Sequence, residues 1–266
     1  MKHKYVLLLT LLSFVCIKTS LAAGFVSIET RNAVKQNFAL LKSTSSAVAS
    51  VILVPGGNGI IKLHNNNGEA IIKRNGNFLV RTRDAFAGQG FNVAVLDAPS
   101  DHYDNDGMFY GFRNSDEHMA DIKKVAEYLK LKFNLPVWIV GTSRGTETTA
   151  NAATKITGQL KGIVLTSSIT QDSKKGTALT EMALNRITLP VLIVAHTDDA
   201  CWVTPPADAE KLKSALTNAA AVEVKMFSGG DEPVSGPCQA KSAHGYLGIE
   251  QNVVKYIATF IKKYSL

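Results

Sequence analysis

Hydrophobic and polar residues alternate twice near the start of the chain, over 25–30 and 35–41, and then the alternation stops. A period of two over such short stretches predicts an antiparallel pair of strands with one wet face, at one edge of a sheet. From Val48 the apolar residues come in short unbroken runs: SVILV, FNVAVLD, PVWIV, GIVLTSS and PVLIVAH. Runs without polar alternation are strands covered on both faces. Stretches of helical period separate them, at 78–87, 115–133, 144–156, 206–217 and 249–263. With a further strand over 222–227, the pattern predicts about eight strands in an α/β fold: a mostly parallel sheet with helices on both faces. The stretch 60–74 reads as a small hairpin, because IIKLH and EAIIKR flank Asn65-Asn66-Asn67-Gly68. It follows the first parallel strand directly and is expected to overhang the loops there. Only a short connection fits between Ser167 and Leu189, so a large lid domain is excluded.

The first residues stand apart from this pattern. Lys2 and Lys4 precede an apolar run from Tyr5 to Val15, and Ser20-Leu21-Ala22-Ala23 follows. That is the layout of a secretory signal peptide over 1–23, cleaved after Ala22 or Ala23, leaving one domain over 24–266. The run is short for a permanent membrane span, and Cys16 lacks the small residue that precedes a lipidated cysteine, so no stable membrane anchor is expected after processing. The expected location is secreted or periplasmic.

Loss of Lys2, Lys4 and Lys18 lowers the formal net charge from +7 to +4. No dense basic run or interleaved aromatic platform accompanies that charge, which argues against nucleic-acid binding. Cys201 and Cys238 remain, and two cysteines in an exported chain are expected to pair as a disulfide. No H-E-x-x-H or C-x-x-C spacing occurs, so no metal or other cofactor is required.

Chemistry concentrates where strands end. PVWIV runs into Gly141-Thr142-Ser143-Arg144-Gly145, a G-x-S-x-G turn between a strand and a helix. Such a turn lifts Ser143 clear of the backbone, with the helix N-terminus facing it, as a nucleophile needs. Pro55-Gly56-Gly57-Asn58-Gly59 follows SVILV, and there the N–H of Gly57, with that of Arg144, is suited to hold an oxyanion. It is not a dinucleotide loop, since G-x-G-x-x-G is absent. After PVLIVAH, Asp199 is the acid placed to orient a histidine, with Asp198 as the alternative. Of six histidines, His244, in Ser242-Ala243-His244-Gly245 before the last helix, fits a general base. A Cys201–Cys238 bridge would tie the acid loop to the histidine loop. The Arg144 side chain has two readings, a pair with Glu147 or a contact to a substrate carboxylate. The loop from Asp97 to Tyr103, together with Phe109, Tyr110, Phe112 and Trp202, offers further candidates for pocket walls.

These residues resemble the α/β-hydrolase superfamily, in their order Ser143, Asp199, His244 and in the glycine loop at Gly56 and Gly57. The short cap is similar to compact esterases, dienelactone-hydrolase-like members and the serine-aminopeptidase branch. Two positions depart from the pattern: Pro55 stands where many members have a histidine, and His196 where a glycine often precedes the acid. The resemblance implies acyl transfer. Ser143 attacks a carbonyl while His244 takes its proton, Gly57 and Arg144 hold the oxyanion, and His244 then activates water. It also implies a small-molecule ester or acyl substrate, with peptidase or amidase chemistry as the alternative, and a rate that falls when acid protonates His244.

Overall fold

The computed structural model describes residues 22–265. Its strands are β1 (Gly24–Arg31), β2 (Val34–Leu41), β3 (Ala49–Val54), β4 (Leu63–Asn66), β5 (Glu69–Ile72), β6 (Phe91–Leu96), β7 (Val137–Thr142), β8 (Gly162–Thr166), β9 (Pro190–His196) and β10 (Ala221–Phe227). They form one sheet in the order β10-β9-β8-β7-β3-β6-β2-β1-β5-β4. From β6 to β10 every neighbouring pair is parallel; β2, β1, β5 and β4 pair antiparallel.

The sheet therefore has ten strands rather than eight. The extra two are the expected hairpin, which turns at Asn67-Gly68 with positive φ at both residues. It adds to the β1 edge: Phe25 N–H donates to Gly68 O at 2.8 Å, and Ala70 N–H to Ala23 O at 2.7 Å. The hairpin strands thus extend the sheet, and only their flanking residues reach the loops beyond β3.

The helices are α1 (Phe78–Arg81), α2 (Arg83–Gly88), α3 (Asp116–Phe133), α4 (Gly145–Lys155), α5 (Ala209–Ala215) and α6 (Glu250–Ser265). Side chains alternate across each buried strand, so the sheet feeds two cores. Ile52, Ile139, Ile163 and Ile193 pack with Ile122, Val125 and Leu129 of α3, Ala150 of α4 and Leu212 of α5. Val51, Val140, Val164 and Val194 pack on the other face with Phe78, Phe86, Val253 and Ile257 of α1, α2 and α6. The helix expected over 78–87 is broken at Thr82, whose hydroxyl donates to Phe78 O at 2.7 Å. Between β8 and β9 there are only two 3-10 turns, Leu179–Glu181 and Leu184–Arg186. Among the described residues no helix is long and apolar enough to cross a membrane. Apart from Ala22 and Ala23, the expected leader lies outside the described residues.

Candidate active site

Ser143 sits between the end of β7 and the start of α4 with φ +52°, the left-handed region that costs a non-glycine residue about 1–3 kcal/mol. The surroundings hold it there. Its N–H donates to Thr166 O at 3.0 Å, and its carbonyl accepts from Thr146 N at 2.9 Å and Thr146 Oγ1 at 2.6 Å. The corner is tight because α4 passes over β3: a Cβ on Gly145 would lie 2.2 Å from Val54 O. The Arg144 side chain turns away from the serine. It pairs with Glu147 at 2.7 Å and donates to Ser173 Oγ, and both charged groups are buried.

The loop after β3 lies directly against the serine, since a Cβ on Gly56 would come within 2.9 Å of Ser143 Cβ. Gly57 has φ +60°. Neither its N–H nor that of Arg144 donates to an acceptor among the described residues, as an anion site requires. Arg113, which the sequence reading passed over, fixes this loop from behind. Its side chain is buried; Nη2 donates to Pro55 O at 3.0 Å and Gly57 O at 3.1 Å, and Nη1 to Thr148 Oγ1 at 3.1 Å. Burial lowers this guanidinium to a pKa of about 10, with Glu147 acting in the opposite direction. The available signal was a lone arginine closing the aromatic run Phe109-Tyr110-Gly111-Phe112.

Asp199 and Asp198 separate cleanly. Asp198 is exposed and lies 3.8 Å from His196. Asp199 is buried, and its Oδ2 is 2.9 Å from His244 Nδ1. Two further donors hold the carboxylate: Cys201 N–H at 2.9 Å and Thr204 Oγ1 at 2.9 Å. With Nδ1–H donating to Asp199, His244 keeps Nε2 as its acceptor. The histidine loop is anchored through Ser167, whose hydroxyl donates to His244 O at 2.8 Å, and through the buried Tyr246, which donates to Val194 O at 2.9 Å. Thr204, Ser167 and Tyr246 were not singled out from sequence, because their roles depend on strand ends that only the fold brings together. His196 is structural: it accepts from Asp198 N–H at 3.1 Å and donates to Gly229 O at 2.8 Å.

Cys201 and Cys238 are paired, with Cα atoms 4.6 Å apart, joining the loop after β9 to the loop before α6. Asp199, Cys201 and His244 also form a cluster with metal-ligand reach. Pairing with Cys238 removes the Cys201 thiolate, and the other two members are hydrogen-bonded to each other, so the cluster is a poor metal cage.

Two cavities meet at Ser143, and Gly57 and Cys238 border both. The first, about 340 Å³, includes Ile60, Ile61, Arg74, Phe78 and His244 in its lining. The second, about 380 Å³, includes Phe109, Ile169, Lys174, Lys175, Trp202 and Val203. Ser143 and His244 thus share a cavity, although Ser143 Oγ makes no hydrogen bond to the ring among the described residues. Phe109 and Trp202 do face the second cavity. The Asp97 loop lines neither: Asp97 accepts from Ile61 N–H and Leu63 N–H at 2.8 Å each and braces the base of the hairpin. His102 stacks on Phe112 at 3.5 Å, and Tyr110 is exposed.

No protein-family model and no curated protein matches the sequence. Solved structures do match in shape. The Pyrococcus furiosus esterase Pf2001 is 12% identical with a TM-score of 0.65, over 92% of this chain and 94% of its own. Est1E from Butyrivibrio proteoclasticus is 14% identical with a TM-score of 0.62, over 91% and 98%. Pyrococcus horikoshii acylaminoacyl peptidase is 13% identical with a TM-score of 0.64, over 93% of this chain but 42% of the longer peptidase. A parallel sheet with a strained serine at one strand end, overlaid on these structures for more than nine-tenths of its length, identifies the chain as having the α/β-hydrolase fold.

Proposed function

We propose that the protein is an exported serine hydrolase that cleaves carboxylic esters or thioesters through an acyl-enzyme. The observation that carries this reading is the buried Asp199–His244 pair at 2.9 Å, whose histidine shares a cavity with a serine at positive φ. Ser143 attacks the acyl carbonyl and His244 Nε2 takes its proton, while Asp199 holds the ring and steadies the imidazolium. The N–H groups of Gly57 and Arg144 receive the oxyanion. His244 then returns the proton to the leaving group, activates water and regenerates Ser143. The hydroxyl–imidazole hydrogen bond forms as substrate enters, since such bonds are commonly loose in empty sites. Support for a hydrolase also comes from the esterases and the acylaminoacyl peptidase that share the fold. The peptidase keeps amide cleavage as the second reading.

A fluorophosphonate probe tests the reading. Labelling at Ser143, lost in Ser143→Ala, is expected, whereas an unlabelled wild-type protein points to a non-catalytic binding role. Nitrophenyl esters of increasing length, assayed beside aminoacyl amides, separate esterase from peptidase. Export rests on 1–23. Ala23 is buried and its carbonyl accepts the Ala70 N–H, so cleavage after Ala22 keeps that bond and cleavage after Ala23 loses it. N-terminal sequencing of the exported chain is expected to read Ala23 first.

A further inference from the structure

The charges around the two cavities are all of one sign. No aspartate or glutamate lines either cavity, while Arg74 lies in the first and Lys174 and Lys175 in the second. Arg144 also lines the second cavity, but its charge is matched by Glu147. Among the described residues none of Arg74, Lys174 or Lys175 is in an ion pair; the Lys175 ammonium instead lies 5.1 Å over the Phe109 ring. Apart from Ser143 and Ser173, the other side chains of the second cavity are largely apolar and aromatic, with Ile169 and Val203 beside Phe109 and a Trp202 that is 65% exposed. An apolar surface with free cations beside it has a definite complement: an apolar body ending in an anion. The low-dielectric wall strengthens the attraction, and no acid in the lining opposes it.

We propose that the second cavity is a subsite for the part of an ester substrate whose apolar chain ends in a carboxylate, held by Lys174 and Lys175. The inference rests on the serine-hydrolase reading of Ser143. Each exposed lysine alone contributes little, but two on one carboxylate beside an apolar wall are expected to give about a tenfold preference, which salt weakens.

The test compares 4-nitrophenyl hemiadipate with the 4-nitrophenyl ester of adipamic acid, equal in length but neutral at the far end. At low salt the charged ester should show kcat/KM about tenfold higher. The preference should shrink in about 0.5 M salt, where the screening length falls to a few Å. In Lys174→Gln with Lys175→Gln it should vanish, through a lower kcat/KM for the charged ester. Equal kcat/KM in the wild type, or a preference that survives the double substitution, overturns the proposal. Calorimetric binding of adipate to Ser143→Ala needs no turnover and separates the two ideas. Adipate bound through the lysines without cleavage of either ester removes the hydrolase reading and leaves the subsite. Cleavage without charge preference does the reverse.

Discussion

Arg113 is 1% exposed, and the groups that accept its hydrogen bonds are all neutral: the carbonyls of Pro55 and Gly57 and the Thr148 hydroxyl. Desolvating a cation is costly, so an arginine in that position needs a return, and the carbonyls it grips bracket the N–H proposed to receive the oxyanion. Arg113 is accordingly a positioning residue. In Arg113→Lys a single ammonium cannot reproduce the fork that reaches both carbonyls. Removing an oxyanion donor outright costs about 10²–10³ in kcat, and loosening one should cost less, about tenfold to a hundredfold, with KM within about twofold. Steady-state kinetics alongside a melting curve decide this: a purely structural arginine would lower the melting temperature and leave kcat per folded molecule unchanged. At this scale the residues proposed to carry chemistry stood out in the sequence because their neighbours are local. Ser143 has its glycines, and His244 has Gly245 and the helix after it. The residues that position them were not legible. Arg113 reaches Pro55 across 58 positions, and Thr204 reaches His244 across 40.

Among the elements, the loops that carry Asp199 and His244 follow β9 and precede α6, and Tyr246 ties the second to β9 through one hydrogen bond to Val194 O. The Cys201–Cys238 bond joins the two loops covalently. Closing a loop of 37 residues contributes about 4 kcal/mol on the chain-entropy model. Replacing both cysteines by serine should therefore lower the melting temperature by roughly 10 °C. If the bond also keeps Asp199 and His244 in register, kcat at 25 °C, far below melting, falls severalfold with little change in KM. A melting shift with kcat intact would limit the bridge to stability. The buried strands were plain in the sequence because covering on both faces leaves an unmistakable apolar run. The hairpin was plain as a hairpin, from Asn67-Gly68 between two apolar-rich flanks. Its addition to the β1 edge was not, because edge pairing uses backbone groups and leaves no side-chain pattern. The break at Thr82 was equally hidden, since it depends on a hydroxyl bonding back to Phe78 O rather than on a glycine or proline.

For the whole molecule, alternation of buried strands and helices was enough to anticipate a mostly parallel sheet, with the candidate site expected at the carboxyl ends of its strands. It said nothing of how the antiparallel strands are secured to the rest. To the β2–β6 ladder Arg31, at the end of β1, adds a polar link: it donates to Asp121 of α3 at 2.9 and 3.0 Å and to Asp101 at 2.8 Å, with Thr30 also bonded to Asp121. Burial pushes the Asp121 carboxyl up, but the His118 ring 3.9 Å away and hydrogen bonds from Arg31 and Thr30 outweigh it and hold the group below the usual carboxylate range. The unfolded chain therefore binds the proton more readily than the folded one. The resulting stability is complete above the ordinary aspartate pKa of about 4 and is lost as pH falls through the lower native value. Asp121→Asn removes the charge while keeping the shape, and should cost about 2 kcal/mol near neutrality, since Arg31 is partly solvated and the full penalty of a buried unpaired charge does not apply. Denaturant unfolding from pH 7 to pH 2.5 should show the gap between wild type and variant constant down to about pH 4 and closing below it. A gap that stays the same width across that range would mean that folding leaves the Asp121 pKa unshifted, and that the attachment of β1 to α3 depends on packing rather than charge.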